Sequence, residues 1–462
     1  MSFLPGLMII AAFALFAGLM MSRRMPALLA LPCMSVVIAL ISGAFYSWPE
    51  AEPVLSSSPF GRVVRFFFGG AWDSVLTEHQ AYINFVAVDV LTAGPARLAT
   101  AAMFAIFGAI LSQQVMRSGI AQRIVSVTAE YAGDRKMLLA GLLTVVVAVC
   151  FTTVTGLGAV IMLGSLVLPI LLGAGLSAEF SACLMLFAIA IGGVFNPVNY
   201  GFYITTIGVS EEVAKKYMLV YGLLLSLAAF IFFLVKGRAE SRSYAWAAPA
   251  PQAGVSGRSV PLPALVTPLV PIGLIMLFNW QIIPAFVAGI IYGTLTTDPK
   301  NALQNITAAT LEGLKDVAPV IGLFIGIGMA LNAMMADPTK QVLEPLMRAI
   351  IPSTPLGYLF FFTLLAPLAL YRGPLNFFGL GAGVAGLIKS VGLMPPVALM
   401  ASFFAVGQIQ GVCDPTNTSN VWLATFTKSS TERFLKITIP YVWGFVLVAL
   451  AYASLIDGVM SQ

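Results

Sequence analysis

Apolar runs of membrane length recur along this chain, separated by short polar segments. In the first half they fall near 3–21, 27–45, 98–116, 178–203 and 213–235. In the second they fall near 264–278, 282–295, 317–335, 395–423 and 434–455. Two shorter stretches, 120–131 and 341–351, carry an apolar stripe of helical period with charges opposite, the pattern of amphipathic helices. Two further apolar segments, 136–172 and 356–389, have small or polar centres. Each is long enough for two short helices and is expected to be a re-entrant hairpin, the alternative being two full spans joined by a tight loop. The hairpin reading rests on Arg372 at the second tip, which must be solvated or paired.

Two of the runs are broken at their centres. The first break reads G-G-V-F-N-P-V-N-Y-G around Asn196, Pro197 and Asn199; the second reads Q-G-V-C-D-P-T-N-T-S-N-V-W around Asp414, Pro415 and Asn417. Lipid offers no hydrogen bonds to an unwound backbone, so each break must line a cavity or be buried in protein. Paired breaks at matching positions point to a solute site. Asn196 and Asp414 are 218 residues apart, and the same shift places Thr155 on Gly373, Leu138 on Leu356 and Arg97 on Lys315. Apolar blocks, breaks and polar loops coincide on this shift. The pattern predicts an all-α polytopic membrane protein of two repeats, each with five spans, a hairpin and a broken helix. An odd number of crossings inverts the second repeat. The proposed division is an N-terminal repeat at 1–236, a Pro-, Ala-, Ser- and Arg-rich cytoplasmic linker at 237–263, and a C-terminal repeat at 264–462. The stretch 46–81 is a first-half insertion, read as an outer loop.

Composition agrees with this class. Of 462 residues, 59% are hydrophobic and 9% charged, with a mean hydropathy of +0.95; soluble domains carry about 25% charged residues. Four cysteines stand in apolar segments without paired spacing, so neither disulfides nor a zinc site is indicated. The net charge of +5 comes from loop Lys and Arg and implies no nucleic acid. With the N-terminus outside, fifteen of the 24 Lys and Arg fall on the cytoplasmic side and eight outside, as the positive-inside rule requires. Arg372 alone is left within a membrane segment. The run at 3–21 has Arg23 and Arg24 behind it and no basic residue ahead, which reads as a retained span.

Arg372 is therefore the sharpest candidate. Its planar fork suits a carboxylate, and Gly373 and Pro374 beside it place backbone amides at a helix break. The competing reading is a structural pair with Asp414. Asp414, among Thr416, Asn417, Ser419 and Asn420, has three candidate roles: a Na+ ligand together with Asn417, a proton carrier, or a helix cap. Asn196, Asn199, Tyr200 and Tyr203 form the matching first-half group, faced by Thr153, Thr155 and Gly156 of the first hairpin tip. No Walker motif is present, and the single histidine, His79, lies far from every break, so no enzyme constellation is formed.

These residues resemble the ion transporter superfamily of secondary carriers. T-T-V-T-G-L-G-A-V-I-M-L-G-S-L-V-L-P-I-L looks like a first hairpin of its citrate, gluconate and C4-dicarboxylate permeases, and C-D-P-T-N-T-S-N-V-W like their second broken helix. The resemblance implies an elevator mechanism with a scaffold and a transport domain, a homodimer, and carboxylate uptake coupled to Na+ or H+; the chain is read as an inner-membrane carrier with no cofactor beyond a candidate Na+. It places Thr153, Thr155, Asn196, Asn199, Arg372, Asn376, Asp414, Thr416 and Asn417 at substrate and ion sites. The Ser-Asn-Thr signature of the divalent-anion/sodium symporters is not clearly present at either tip, which leaves the coupling ion open. Two other readings stand beside symport: a Na+/H+ antiporter of the same architecture, and the membrane subunit of a binding-protein-dependent carrier.

Overall fold

A computed structural model describes residues 4–22, 24–48, 80–241 and 260–460. Most of the 46–81 insertion, His79 included, and most of the 237–263 linker lie outside them. Among the described residues every regular element is helical. The first half contributes α1 (Leu4–Met21), α2 (Ala27–Ala44), α3 (Ala99–Arg117), α4 (Ile120–Ala132), α5 (Lys136–Phe151), α6 (Gly156–Gly173), α7 (Ala178–Phe195), α8 (Pro197–Ile207) and α9 (Glu211–Ser241). The second contributes α10 (Val270–Phe278), α11 (Ile282–Thr297), α12 (Ala302–Met335), α13 (Asp337–Ile350), α14 (Pro355–Leu365), α15 (Leu380–Ser390), α16 (Pro396–Cys413), α17 (Thr418–Thr427) and α18 (Thr431–Ala451).

Both broken spans appear as helix pairs, α7–α8 and α16–α17. The cause is local. Pro197 and Pro415 remove a backbone donor, and the residues before them, Asn196 and Asp414, adopt extended backbone at φ −75°, ψ 123° and φ −70°, ψ 115°. A shift of 218 carries both ends of α7 onto those of α16. It also lays α4 on α13, α5 on α14 and α9 on α18.

Among the described residues, ten helical runs are long and apolar enough to cross a membrane, the number expected from sequence, but the set differs. Gly156–Gly173 and Pro355–Arg372, which are hairpin arms, qualify. Leu262–Phe278 and Ile282–Thr297 are shorter. In the first of these, Pro263 and Pro268 tighten Leu262–Leu269 into a 3-10 turn, so only Val270–Phe278 is α-helical. The third span of the second half begins earlier than expected, at Ala302, and runs through Pro319. In the second expected hairpin, the 11 residues of α15 rise only about 16 Å, too little by themselves for a hydrocarbon core of about 30 Å. Length does not decide the first hairpin, because α6 has 18 residues.

The contacts divide the chain into two compact units, each drawing on both halves: Met1–Ala99 with Gly322–Ser353 and Phe378–Met394, and Thr100–Ile321 with Thr354–Phe377 and Pro395–Gln462. In the first, α2 packs on α1, α13 and the wide helical turns Phe85–Ala93. Thr339 Oγ1 donates to Ser42 Oγ at 2.9 Å, and Arg97 donates to Asn332 Oδ1 at 2.5 Å. In the second, α7 lies along α5 and α9, and α16 along α18. Helix association in lipid rests on close packing and polar bonds, and the second unit has both. Tyr203 stacks on Phe377 at 4.2 Å and 3°, with Phe403 and Phe404 around them.

Candidate functional site

Both breaks and both hairpin tips belong to the second unit. At the first break, Asn196 is fully buried and caps α8, its Oδ1 accepting from the Val198 amide at 3.0 Å. Its Nδ2 reaches 45 residues back in the chain to donate to the Phe151 carbonyl at 3.0 Å, at the end of the first hairpin arm. Asn199 Nδ2 closes the turn onto the Gly193 carbonyl at 2.8 Å. In the tip, the Thr153 hydroxyl is buried and donates to Cys150 O at 3.4 Å. Ser112 bridges the backbone of Thr155, donating to its carbonyl and accepting from its amide, both at 3.4 Å. Gly156 starts α6 at φ +88°, a left-handed position that suits glycine. Beside this tip lies a cavity of about 480 Å³ whose wall, from Val145 and Ala148 to Phe195, Phe230 and Phe233, is almost wholly apolar.

At the second break, Asp414 is fully buried. Its Oδ1 accepts from the Tyr371 amide at 3.0 Å, the Thr416 amide at 2.8 Å and the Thr416 hydroxyl at 2.8 Å; its Oδ2 accepts from the Arg372 amide at 3.4 Å. A carboxylate has about four lone-pair positions, so the backbone and Thr416 take up most of its capacity. Asn417 caps α17 by accepting from Ser419 N at 3.0 Å and donates Nδ2 to Gln410 O at 3.2 Å. Asn420 donates Nδ2 to Val412 O at 2.9 Å, while its Oδ1 is buried with no hydrogen-bond partner. Asn376 is buried at the tip.

The second tip is strained. Tyr371 and Arg372, neither of them glycine, stand consecutively in the left-handed region at φ 55° and 59°. Each such residue costs on the order of 1–2 kcal/mol. Asp414 holds their amides, the Tyr371 phenol donates to both oxygens of Glu432 at 3.1 and 3.2 Å, and the Gly373 amide bonds Leu370 O at 3.0 Å. A Cβ on Gly373 would collide with the Leu368 carbonyl, so only glycine fits. The amides that the sequence placed at this break are thus turned inward. The Arg372 side chain, by contrast, is exposed, and among the described residues no carboxylate pairs with it. The ion pairing of Arg372 with Asp414 considered from sequence is absent; their bond runs through the backbone.

The structure therefore joins Asn196 to the first tip and Asp414, Thr416 and Arg372 to the second. Tyr203 of the first broken helix meets the second tip through Phe377. It shows no hydrogen bond between the Arg372 side chain and Thr153, Thr155, Asn196 or Asn199. Two contributors escaped the sequence reading: Tyr371, signalled only by its place before R-G-P, and Glu432, one acid among several near helix starts.

No family model matches the sequence, and no curated protein matches it. Among solved structures, the fold is similar to that of the YdaH transporter of Alcanivorax borkumensis, whose crystal structure is described as revealing an unusual topology. The two share a TM-score of 0.58 at 13% identity, over 94% of this chain and 98% of that one. At that identity the likeness is one of fold. Together with ten apolar helices of spanning length, it gives the chain a transporter-like, multi-pass helical membrane fold.

Proposed function

We propose that this protein is a secondary active transporter of a small organic carboxylate, acting in a cytoplasmic membrane, with the second hairpin tip as its anion-recognising element. The observation that carries the reading is the contrast within that tip. The amides of Tyr371 and Arg372 are bonded by the protein's own Asp414, while Arg372 is exposed and has no acid partner among the described residues. A guanidinium in a membrane segment is costly unless hydrated or matched with an anion, and its fork matches a carboxylate in two bonds. The apolar wall beside the first tip supports placing the anion chemistry in the second half.

A thermal-shift screen of citrate, succinate and gluconate, with Na+ and with choline, tests for binding, because a ligand of the folded protein raises its melting temperature. For the acid that binds, Arg372→Lys is expected to weaken affinity about 10- to 100-fold, the worth of a charge-assisted fork. Wild-type affinity in that variant rejects the reading.

One observation favours Na+ as the coupling ion. Asn420 Oδ1 is an unsatisfied buried oxygen beside the second break, and such groups call for a water or an ion. Loss of the Na+-dependent thermal shift in Asn420→Leu, with choline as control, is the expected result. An antiporter would move Na+ under a pH gradient with no carboxylate present. A carrier that needs a helper chain would be inactive as purified protein in liposomes.

A further inference from the structure

We propose that Glu432 is a positioning residue for anion recognition: through the phenol of Tyr371 it holds the second tip in the conformation that presents Arg372. The inference rests on the carboxylate reading above and gives it a residue outside both the hairpin and the break.

Two consecutive left-handed residues persist only where their surroundings over-determine them. Three restraints act here. Asp414 takes the amides of Tyr371 and Arg372. The Gly373 amide donates to the Leu370 carbonyl at 3.0 Å and the Leu375 amide to the Leu368 carbonyl at 3.4 Å, closing the turn. Glu432 takes the phenol with both carboxylate oxygens. The first two fix the backbone; the third fixes the direction of the side chain that precedes Arg372. Glu432 is itself placed by the start of α18, where its amide donates to the capping Ser430 hydroxyl at 3.2 Å. Its neighbour Arg433 pairs with Glu179, and no basic side chain among the described residues pairs with Glu432. A carboxylate that holds a tyrosine instead of the adjacent arginine has a bond whose direction matters. The chain thus runs from the N-cap of α18 through Glu432 and Tyr371 to Arg372.

The test has a part that needs no substrate. In hydrogen–deuterium exchange of the purified full chain, a peptide covering 366–378 is expected to exchange up to about tenfold faster in Tyr371→Phe and in Glu432→Ala, as loss of one hydrogen bond implies. Glu432→Gln keeps a carbonyl acceptor for the phenol and is expected to stay near the wild-type rate. The second part uses whichever of citrate, succinate or gluconate binds. Tyr371→Phe and Glu432→Ala raise its KM several-fold at unchanged maximal rate, Glu432→Gln restores it, and the double variant is no worse than either single one. A merely structural role would lower the maximal rate and the amount of folded protein instead. Unchanged exchange in Tyr371→Phe overturns the proposal. So does a Glu432→Gln variant as impaired as Glu432→Ala, since charge and not the bond would then matter. Faster exchange with unchanged KM overturns the positioning role while the carboxylate reading stands. If exchange responds as expected but the wild-type chain binds none of the acids, it is the carboxylate reading that fails, and the role for Glu432 falls with it.

Discussion

At the first break Asn196 gives a hydrogen to a carbonyl of its hairpin tip, whereas at the second Asp414 takes hydrogens from two amides of its own. The two residues stand at equivalent positions, each before a proline and each reaching some 40 residues back along the chain. What differs is the end of the tip that faces them. The first tip offers the last carbonyl of α5, a helix C-terminus with partial negative charge. The second offers successive amides from a left-handed turn, a concavity that suits an anion. A neutral amide fits the former and a carboxylate the latter. The charge asymmetry visible in N-P-V-N against D-P-T-N is therefore first of all a matter of sealing the tips. The anion slot in the backbone of the second tip is filled by the protein itself, and on the proposed carboxylate reading Arg372 is the group left to meet an external anion.

Removing the two seals should separate them most widely. Asp414→Ala strands the Tyr371 amide together with the amide and hydroxyl of Thr416. At about 1–3 kcal/mol for each buried donor left unsatisfied, the loss is on the order of 3–6 kcal/mol, enough to abolish the strained turn. Asn196→Ala strands the Phe151 carbonyl and the Val198 amide, an expected loss of about 2–3 kcal/mol. Denaturation midpoints in one detergent measure the difference. Equal losses would mean that the carboxylate is no more deeply engaged than the amide.

Exchanging the seals is the next sharpest experiment. Asn196→Asp sets a carboxylate against a carbonyl in a buried position and deletes the donor, an expected cost of about 2–4 kcal/mol. Asp414→Asn keeps one acceptor oxygen but turns an NH2 toward an amide donor, an expected cost of about 2 kcal/mol. The double exchange should not recover stability, because each residue answers to its own tip. Recovery in unfolding experiments would show that the pair is sensed as total charge and not as local complementarity.

Much of this architecture was legible in the chain. Asn-Pro and Asp-Pro within apolar runs announce a lost donor and a cap, and the helices end where that chemistry says, at Phe195 and Cys413. Both amphipathic stretches also fold as helices, α4 and α13. What periodicity could not show was partnership across distance. The sequence brought Arg372 and Asp414 together as side chains of opposite charge; the fold joins them through a backbone amide, because two residues adopt a left-handed turn that no apolar pattern encodes. Glu432, 61 residues from Tyr371, carries no local signal for that bond. The same limit applies to Leu262–Phe278, whose apolar character suggested a plain span while its prolines made a 3-10 turn followed by a short helix.

The smallest expected effect comes from the part of the breaks that is alike. Asn199 and Asn417 stand 218 residues apart. Asn199 Nδ2 donates to the carbonyl of Gly193 and Asn417 Nδ2 to that of Gln410, so each ties the start of the second half-helix to the end of the first. The carbonyls at these helix ends have lost their intrahelical donors, and one neutral hydrogen bond contributes about 0.5–1.5 kcal/mol net. Asn199→Ala should therefore lower stability by about 1 kcal/mol. Asn417→Ala should cost slightly more, since Asn417 also caps α17 through Ser419. Unlike the seals, these two should tolerate exchange for serine or aspartate equally poorly, because neither replacement supplies an amide donor at that reach. If Asn417→Ala instead cost as much as Asp414→Ala, the second break would be a single cooperative network, and the near-identity of the two halves at this position would be one of sequence and not of energetics.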